Sequence, residues 1–182
     1  LSGGTRVPVH VGAVTGLLKA DFKIRCWAGV SAGSLVASVF ASGFSSDDAF
    51  QLMLETDYRR FLDVNPVTSV RGMGLYAGAK FERWLNAYLG GRRFKDLNVP
   101  FSVVATDVAT KDPFIFSIDN TPEVTLARAV RCSISLPGIF ATPQVNGHAL
   151  IDGCFADVHP NLLFPENSAQ SLVIRMNESG PR

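Results

Sequence analysis

Residues Gly29-Val30-Ser31-Ala32-Gly33 spell a G-x-S-x-G pentapeptide. A β-prone run, Ile24 to Ala28, precedes it, and a helix-prone run, Ser34 to Ala41, follows. That context predicts a nucleophile elbow, a tight strand-to-helix turn that pushes a serine hydroxyl into a cleft. The flanking glycines suit it because a β-carbon at either position would collide with the neighbouring strand or helix. A helix start behind Ser31 also supplies free backbone N–H groups and partial positive charge for a developing oxyanion. The chemistry such a serine performs is acyl transfer.

A serine alcohol needs a base to accept its proton. The chain holds three histidines, His10, His148 and His159. A Ser–Asp–His order could be assembled from Ser31, Asp107 or Asp152, and His159. The alternative is a carboxylate acting directly on the serine, and Asp152 is the best placed: it follows the β run Ala149-Leu150-Ile151 and precedes Gly153, where a strand opens into a turn. A carboxylate at its ordinary pKa of about 4 is a weak base at neutral pH, and burial increases its proton affinity. Asp157 competes for the role and reads more simply as a turn former. At the chain start, Ser2-Gly3-Gly4-Thr5-Arg6 lets successive N–H groups converge on a small anion, which is what an oxyanion hole requires. No G-x-x-x-x-G-K occurs, so this is not a phosphate-binding P-loop.

These residues must be positioned by an interleaved set of elements. Val11, Val14, Leu17 and Leu18 recur at helical spacing after Pro8. A strand over 24–28, the elbow and a helix over 32–42 closed by Gly43 follow. Ser45 or Ser46 caps a third helix whose apolar face is Phe50, Met53 and Leu54. Residues 63–78 read as a long connection. The clearest amphipathic helix spans Lys80 to Leu89, with Phe81, Trp84, Leu85, Tyr88 and Leu89 on one face and Gly90-Gly91 ending it. β runs are expected over Phe101 to Val108 and Phe114 to Ile118, a helix over Val124 to Cys132, and further strands at 144–145, 149–151 and 172–174. The pattern predicts one α/β domain over residues 1–182: a mixed or mostly parallel sheet with helices on both faces.

Composition narrows the function class. The chain has 182 residues and a net charge of +1, against the basic footprint of a nucleic-acid binder. Arg59-Arg60 and Arg92-Arg93 read as solvated surface. Cys26, Cys132 and Cys154 form no C-x-x-C pair, so neither a disulfide framework nor a zinc site is expected; free thiols fit a reducing compartment. No run of about 18 apolar residues is present. No signal peptide is visible, and because Leu1-Ser2-Gly3 opens directly in the glycine loop, an upstream first-strand segment is expected.

Taken together, Leu1 to Arg6, His10-Val11-Gly12, Gly29 to Ser34 and Asp152-Gly153 resemble the patatin-like phospholipases. So do Val104 to Asp107, Ala129 to Ser133, Ser135 to Phe140 and the run from Asp152 to Asp157 ahead of Pro160. The resemblance implies a three-layer α/β/α fold and a Ser–Asp dyad acting on lipid esters without metal or other cofactor. It implies Ser31 as nucleophile, Asp152 as base and an oxyanion hole from Gly3, Gly4 and Thr5. Arg6 would hold that loop or meet a substrate phosphate, and His10 would be structural. The implied substrate is a phospholipid or other acyl lipid, which leaves peripheral membrane contact open; the charge argues against nucleic acid, the compartment is left unassigned with a cytoplasmic or membrane-peripheral one expected, and oligomeric state is not specified. The chain departs from the pattern at Ser2, at Val7 where a glycine is usual, and at Cys154 where a second glycine commonly follows the aspartate. If Val7 had to adopt a positive φ, the oxyanion hole would be distorted. Two other readings stand beside the dyad: a Ser–His–Asp esterase using His159, and a catalytically weak lipid-binding or interaction module. Phe114-Ile115-Phe116, Ile139-Phe140 and Leu162-Leu163-Phe164 are candidates for an acyl groove, although such runs are more often core.

Overall fold

The computed structural model describes residues 7–64, 74–158, 163–164 and 172–174. Helix α1 (Val7–Lys19) buries Val7, His10, Val11 and Val14, a stripe at i, i+3, i+4 and i+7. Strand β1 (Trp27–Val30) leads through Ser31 into α2 (Ala32–Ala41), which is buried almost all round. Ser45 caps α3 (Ser46–Glu55) in a reciprocal capping box with Asp48. Helix α4 (Ala79–Tyr88) is capped from a distance: Asp63 accepts the Gly78 and Lys80 amides at 2.6 and 2.9 Å. Burial pushes the Asp63 carboxyl up, but these amides outweigh it and hold the group below the ordinary carboxylate range. Strands β2 (Phe101–Asp107) and β3 (Pro113–Phe116), helix α5 (Leu126–Ser133) capped by Thr125, and strands β4 (Gln144–Val145) and β5 (His148–Asp152) complete the set.

Strand β2 is the hub of a mixed sheet. The hydrogen-bonded path runs β1-β2-β5-β4, with β3 also on β2. Among the described residues, β1 pairs with β2 in parallel, and the other pairings are antiparallel. The register explains how one strand serves three neighbours. Strand β3 faces Val103–Thr106, overlapping the β1 stretch at Val103 and Val104 and the β5 stretch at Ala105 and Thr106. A strand has only two edges, so β1 and β5 lie end to end along the edge that β3 leaves open. Their C-terminal ends meet there: Val30 is opposite Val104, and Asp152 is opposite Ala105.

The sheet forms the central layer of an α/β/α arrangement. The core runs from α1 and α2 through Val103, Ala105 and Phe116 to α5 and α4. Phe94, at the centre of an aromatic stack, lies nearly parallel to both Phe101 and Phe116.

Several expected boundaries shift. The strand before the elbow occupies Trp27–Val30, because its pairing with Phe101–Val104 begins only at Trp27. Of the apolar face expected for α3, Met53 is buried but Leu54 is 67% exposed, and Ala49 and Leu52 are buried beside Met53. Residues 172–174 do not form the expected strand, and Leu172 is exposed. The described ends of the long connection, Val64 and Tyr76, meet in an antiparallel bridge.

Candidate active site

Ser31 sits between β1 and α2 with φ 51° and ψ −130°, the positive-φ conformation that a sharp elbow demands. For a residue with a side chain this costs about 1–3 kcal/mol and persists only where the surroundings enforce it. The close approach of strand and helix also excludes a side chain at position 29, because a Cβ there would overlap the Ser34 backbone. The Ser31 carbonyl is tied down by Ser34, whose amide and hydroxyl donate to it at 2.8 and 2.6 Å. The Ser31 amide donates to Ser133 Oγ at 2.8 Å, and Ser133 Oγ donates in turn to the Val104 carbonyl at 2.6 Å.

Asp152 lies at the C-terminus of β5 and is 1% exposed. Ser31 Oγ donates to its Oδ2 at 2.7 Å, across 121 positions of sequence. The other oxygen, Oδ1, accepts the Cys154 amide at 2.9 Å. Its backbone is held on both sides as well: the amide donates to the Ser135 carbonyl at 2.9 Å, and the carbonyl accepts from Thr106 Oγ1 at 2.8 Å. Gly153 packs so tightly beneath this turn that a Cβ would strike the Val104 carbonyl oxygen and come within 2.9 Å of Val30 Cγ1. A half-buried serine is thus aimed at one oxygen of a buried carboxylate whose other oxygen is held by a backbone amide. That arrangement can pass a proton from the alcohol to the carboxylate as the serine oxygen attacks an electrophile.

A second brace lies behind this pair. Arg131, 2% exposed, donates to the Ala77 and Ala141 carbonyls at 2.7 and 2.8 Å and to Ser135 Oγ. Its guanidinium lies over the Phe140 ring, and burial pulls its proton affinity down. Because Ser135 also holds the Asp152 amide, Arg131 reaches that strand end through one intermediary. Sequence reasoning quoted Arg131, Ser133 and Ser135 within the family resemblance but gave them no role. The available signal was a run of polar residues, Arg131, Ser133 and Ser135, alternating with apolar ones at a helix end.

The other predicted residues fall elsewhere. Asp107 does not join Ser31: its Oδ2 pairs with His148 Nδ1, and its Oδ1 accepts the Ala109 and Thr110 amides. His148 packs at a tilt against Phe114 at the far end of β5. His10 is buried within α1, with burial lowering its proton affinity. Asp157 lies past the short 3-10 turn Gly153–Phe155 and is exposed. Gly3, Gly4, Thr5 and Arg6 lie outside the described residues, as do Ser2, His159 and Leu162. Val7 is the first residue of α1 and is not among the positive-φ positions, so the feared distortion has no basis in its backbone. Cys154 donates its amide to Asp152, and its φ is not positive, so that position does not require glycine. Of the expected acyl-groove runs, Phe116 is fully buried and Ile139 is 42% exposed.

All three cysteines are free, with burial pushing Cys132 up to about 12. Among the described residues, no cluster of three or more His, Cys, Asp or Glu is arranged to hold a metal ion, and no helix is long and apolar enough to cross a membrane.

The sequence model of the patatin-like phospholipases matches residues 2–164. The chain belongs to the patatin-like phospholipase family. The chain is 28% identical over 185 residues to an uncharacterized NTE family protein of Mycobacterium tuberculosis, covering 99% of this chain and 49% of that protein. It is 27% identical over 168 residues to the neuropathy target esterase sws of Drosophila grimshawi, covering 87% of this chain and 11% of that one. The chain therefore spans about half the length, or less, of these relatives. The crystal structure of VipD from Legionella pneumophila shares the fold, with a TM-score of 0.66 at 16% identity over 87% of this chain and 45% of that one.

Proposed function

We propose that this patatin-like chain is a serine hydrolase of lipid acyl esters working through a Ser–Asp dyad. The observation that carries the reading is the 2.7 Å hydrogen bond from Ser31 Oγ to Asp152 Oδ2, with no imidazole between them. Asp152 takes the hydroxyl proton while Ser31 Oγ attacks the ester carbonyl. The tetrahedral oxyanion is received by backbone amides, for which the loop of Gly3, Gly4 and Thr5 is the proposed source, with Arg6 holding that loop. The alcohol or lysolipid leaves with a proton returned by Asp152, and water then releases the acyl group by the same route. Phospholipid or another acyl lipid presented at a membrane surface is the proposed substrate. Support comes from family membership and from the likeness to a relative named an esterase.

The test is release of fatty acid from phosphatidylcholine vesicles. Ser31→Ala is expected to abolish it, and Asp152→Asn to lower it by about 10²- to 10⁴-fold, the usual worth of a general base. His159→Ala should leave it unchanged. Activity that survives Ser31→Ala or Asp152→Asn refutes the dyad, and loss on His159→Ala restores the triad.

A further inference from the structure

The nucleophile's backbone has a dedicated anchor outside its own turn. Ser31 holds φ 51° without being glycine, and its amide cannot be satisfied by the helix it precedes. The partner is Ser133 Oγ, the last residue of α5, with no exposed surface. The hydroxyl both donates and accepts: its hydrogen goes to the Val104 carbonyl, and a lone pair receives the Ser31 N–H. Val104 is the β2 residue opposite Val30, and Ala105, the next one, is opposite Asp152. One buried hydroxyl therefore ties the elbow to the point of the sheet where β1 and β5 meet.

We infer that Ser133 is a positioning residue for the nucleophile: through the Val104–Ser133–Ser31 chain it fixes the elbow so that Ser31 Oγ stays within hydrogen-bond reach of Asp152. This rests on the dyad reading above. Without the hydroxyl, a buried carbonyl loses a donor and the strained amide loses its acceptor, so the elbow relaxes and the 2.7 Å bond is no longer enforced. Misplacements of about 1 Å at a reacting group cost on the order of 100-fold in rate.

The experiment follows inactivation by a fluorophosphonate probe in the full chain, separating the limiting rate constant from the probe concentration for half-maximal rate. Thermal unfolding is measured alongside. Ser133→Ala is expected to lower the limiting rate by about 10- to 100-fold while changing the half-saturating concentration less than about threefold. Ser133→Cys keeps the side-chain shape with a weak donor and acceptor and should fall between Ser133→Ala and the wild type, which also keeps the comparison available if the alanine variant does not unfold cooperatively. Ser38→Ala is the control: it removes another fully buried hydroxyl, bonded to Leu35 O within α2, and should lower the melting temperature without changing the limiting rate. A wild type that labels at Ser31 while the folded Ser133 variants label equally fast overturns the inference alone. A wild type that the probe does not label overturns the dyad reading and this inference with it.

Discussion

Strand β5 carries an aspartate partnership at each end, and the two differ in what their partners are free to do. At its C-terminus Asp152 accepts one backbone amide and one serine hydroxyl, the latter from a residue held in strained geometry. At its N-terminus His148 meets Asp107, which also accepts two amides of the turn that follows β2. Asp107 is saturated by a turn and a ring, so it organises the backbone. Asp152 keeps one oxygen for a mobile proton. The two ends are four residues apart, about 13 Å along an extended strand, so neither His148 nor Asp107 can be exchanged for the partner of Ser31 without remaking the sheet.

The largest contrast should come from the turn beneath Asp152. Gly153→Ala would drive a Cβ into the Val104 carbonyl, which cannot move without breaking the sheet and the Ser133 bond. Overpacking of this kind costs about 1–3 kcal/mol, and here it displaces the carboxylate itself. Esterase activity should fall to background and the melting temperature should drop. An alanine variant with full activity would mean that the turn does not position Asp152.

Asp107→Asn should act on stability and spare the chemistry. The His148 hydrogen bond, followed by the Ala109 amide, holds the Asp107 carboxyl below its ordinary value despite some desolvation. A carboxylate depressed in the folded state stabilises it above the unfolded pKa of about 4, and the gain disappears as pH falls through the lower folded value. The melting temperature of Asp107→Asn should therefore lie below wild type at neutral pH and converge with it below about pH 4. Vesicle hydrolysis per folded molecule should stay near wild type. A collapse in turnover with an unchanged melting temperature would reverse the assignment of the two ends.

The same contrast shows what sequence could and could not supply. The elbow was readable because its signature is local: glycines, a serine and the change from β-prone to helix-prone residues all lie between Ile24 and Ala41. The Asp152-Gly153 turn was readable for the same reason. The tandem placement of β1 and β5 on one edge of β2 was not, since it depends on a register that pairs Val30 with Val104 and Ala105 with Asp152, far apart in the chain. Choosing Asp152 over Asp107 thus rested on family resemblance and on its place at a strand end. Ser133 was invisible as an anchor, because a serine at a helix C-terminus commonly caps or faces water, and only the fold brings the elbow amide to it. The expected strand at 172–174 failed for the opposite reason: three apolar residues satisfy a β propensity, but strand character needs a paired neighbour, and none is formed among the described residues.

The smallest effect is expected at Cys154, the departure from the family pattern closest to Asp152. Its amide does the work, donating to Oδ1, while its side chain is exposed. Cys154→Ala preserves that amide and should leave hydrolysis within about twofold of wild type, inside the range of a surface substitution. The thiol still reports on its neighbour: partial desolvation and then the Asp152 carboxylate push its proton affinity up, so it should alkylate with iodoacetamide more slowly at neutral pH than an ordinary cysteine. Replacing Asp152 with Asn removes the charge contribution and should move the alkylation profile back toward lower pH. If that profile did not move, the Asp152 charge would not act on the neighbouring thiol. The contrast between the two ends of β5 would then lose its electrostatic half while its geometric half stood.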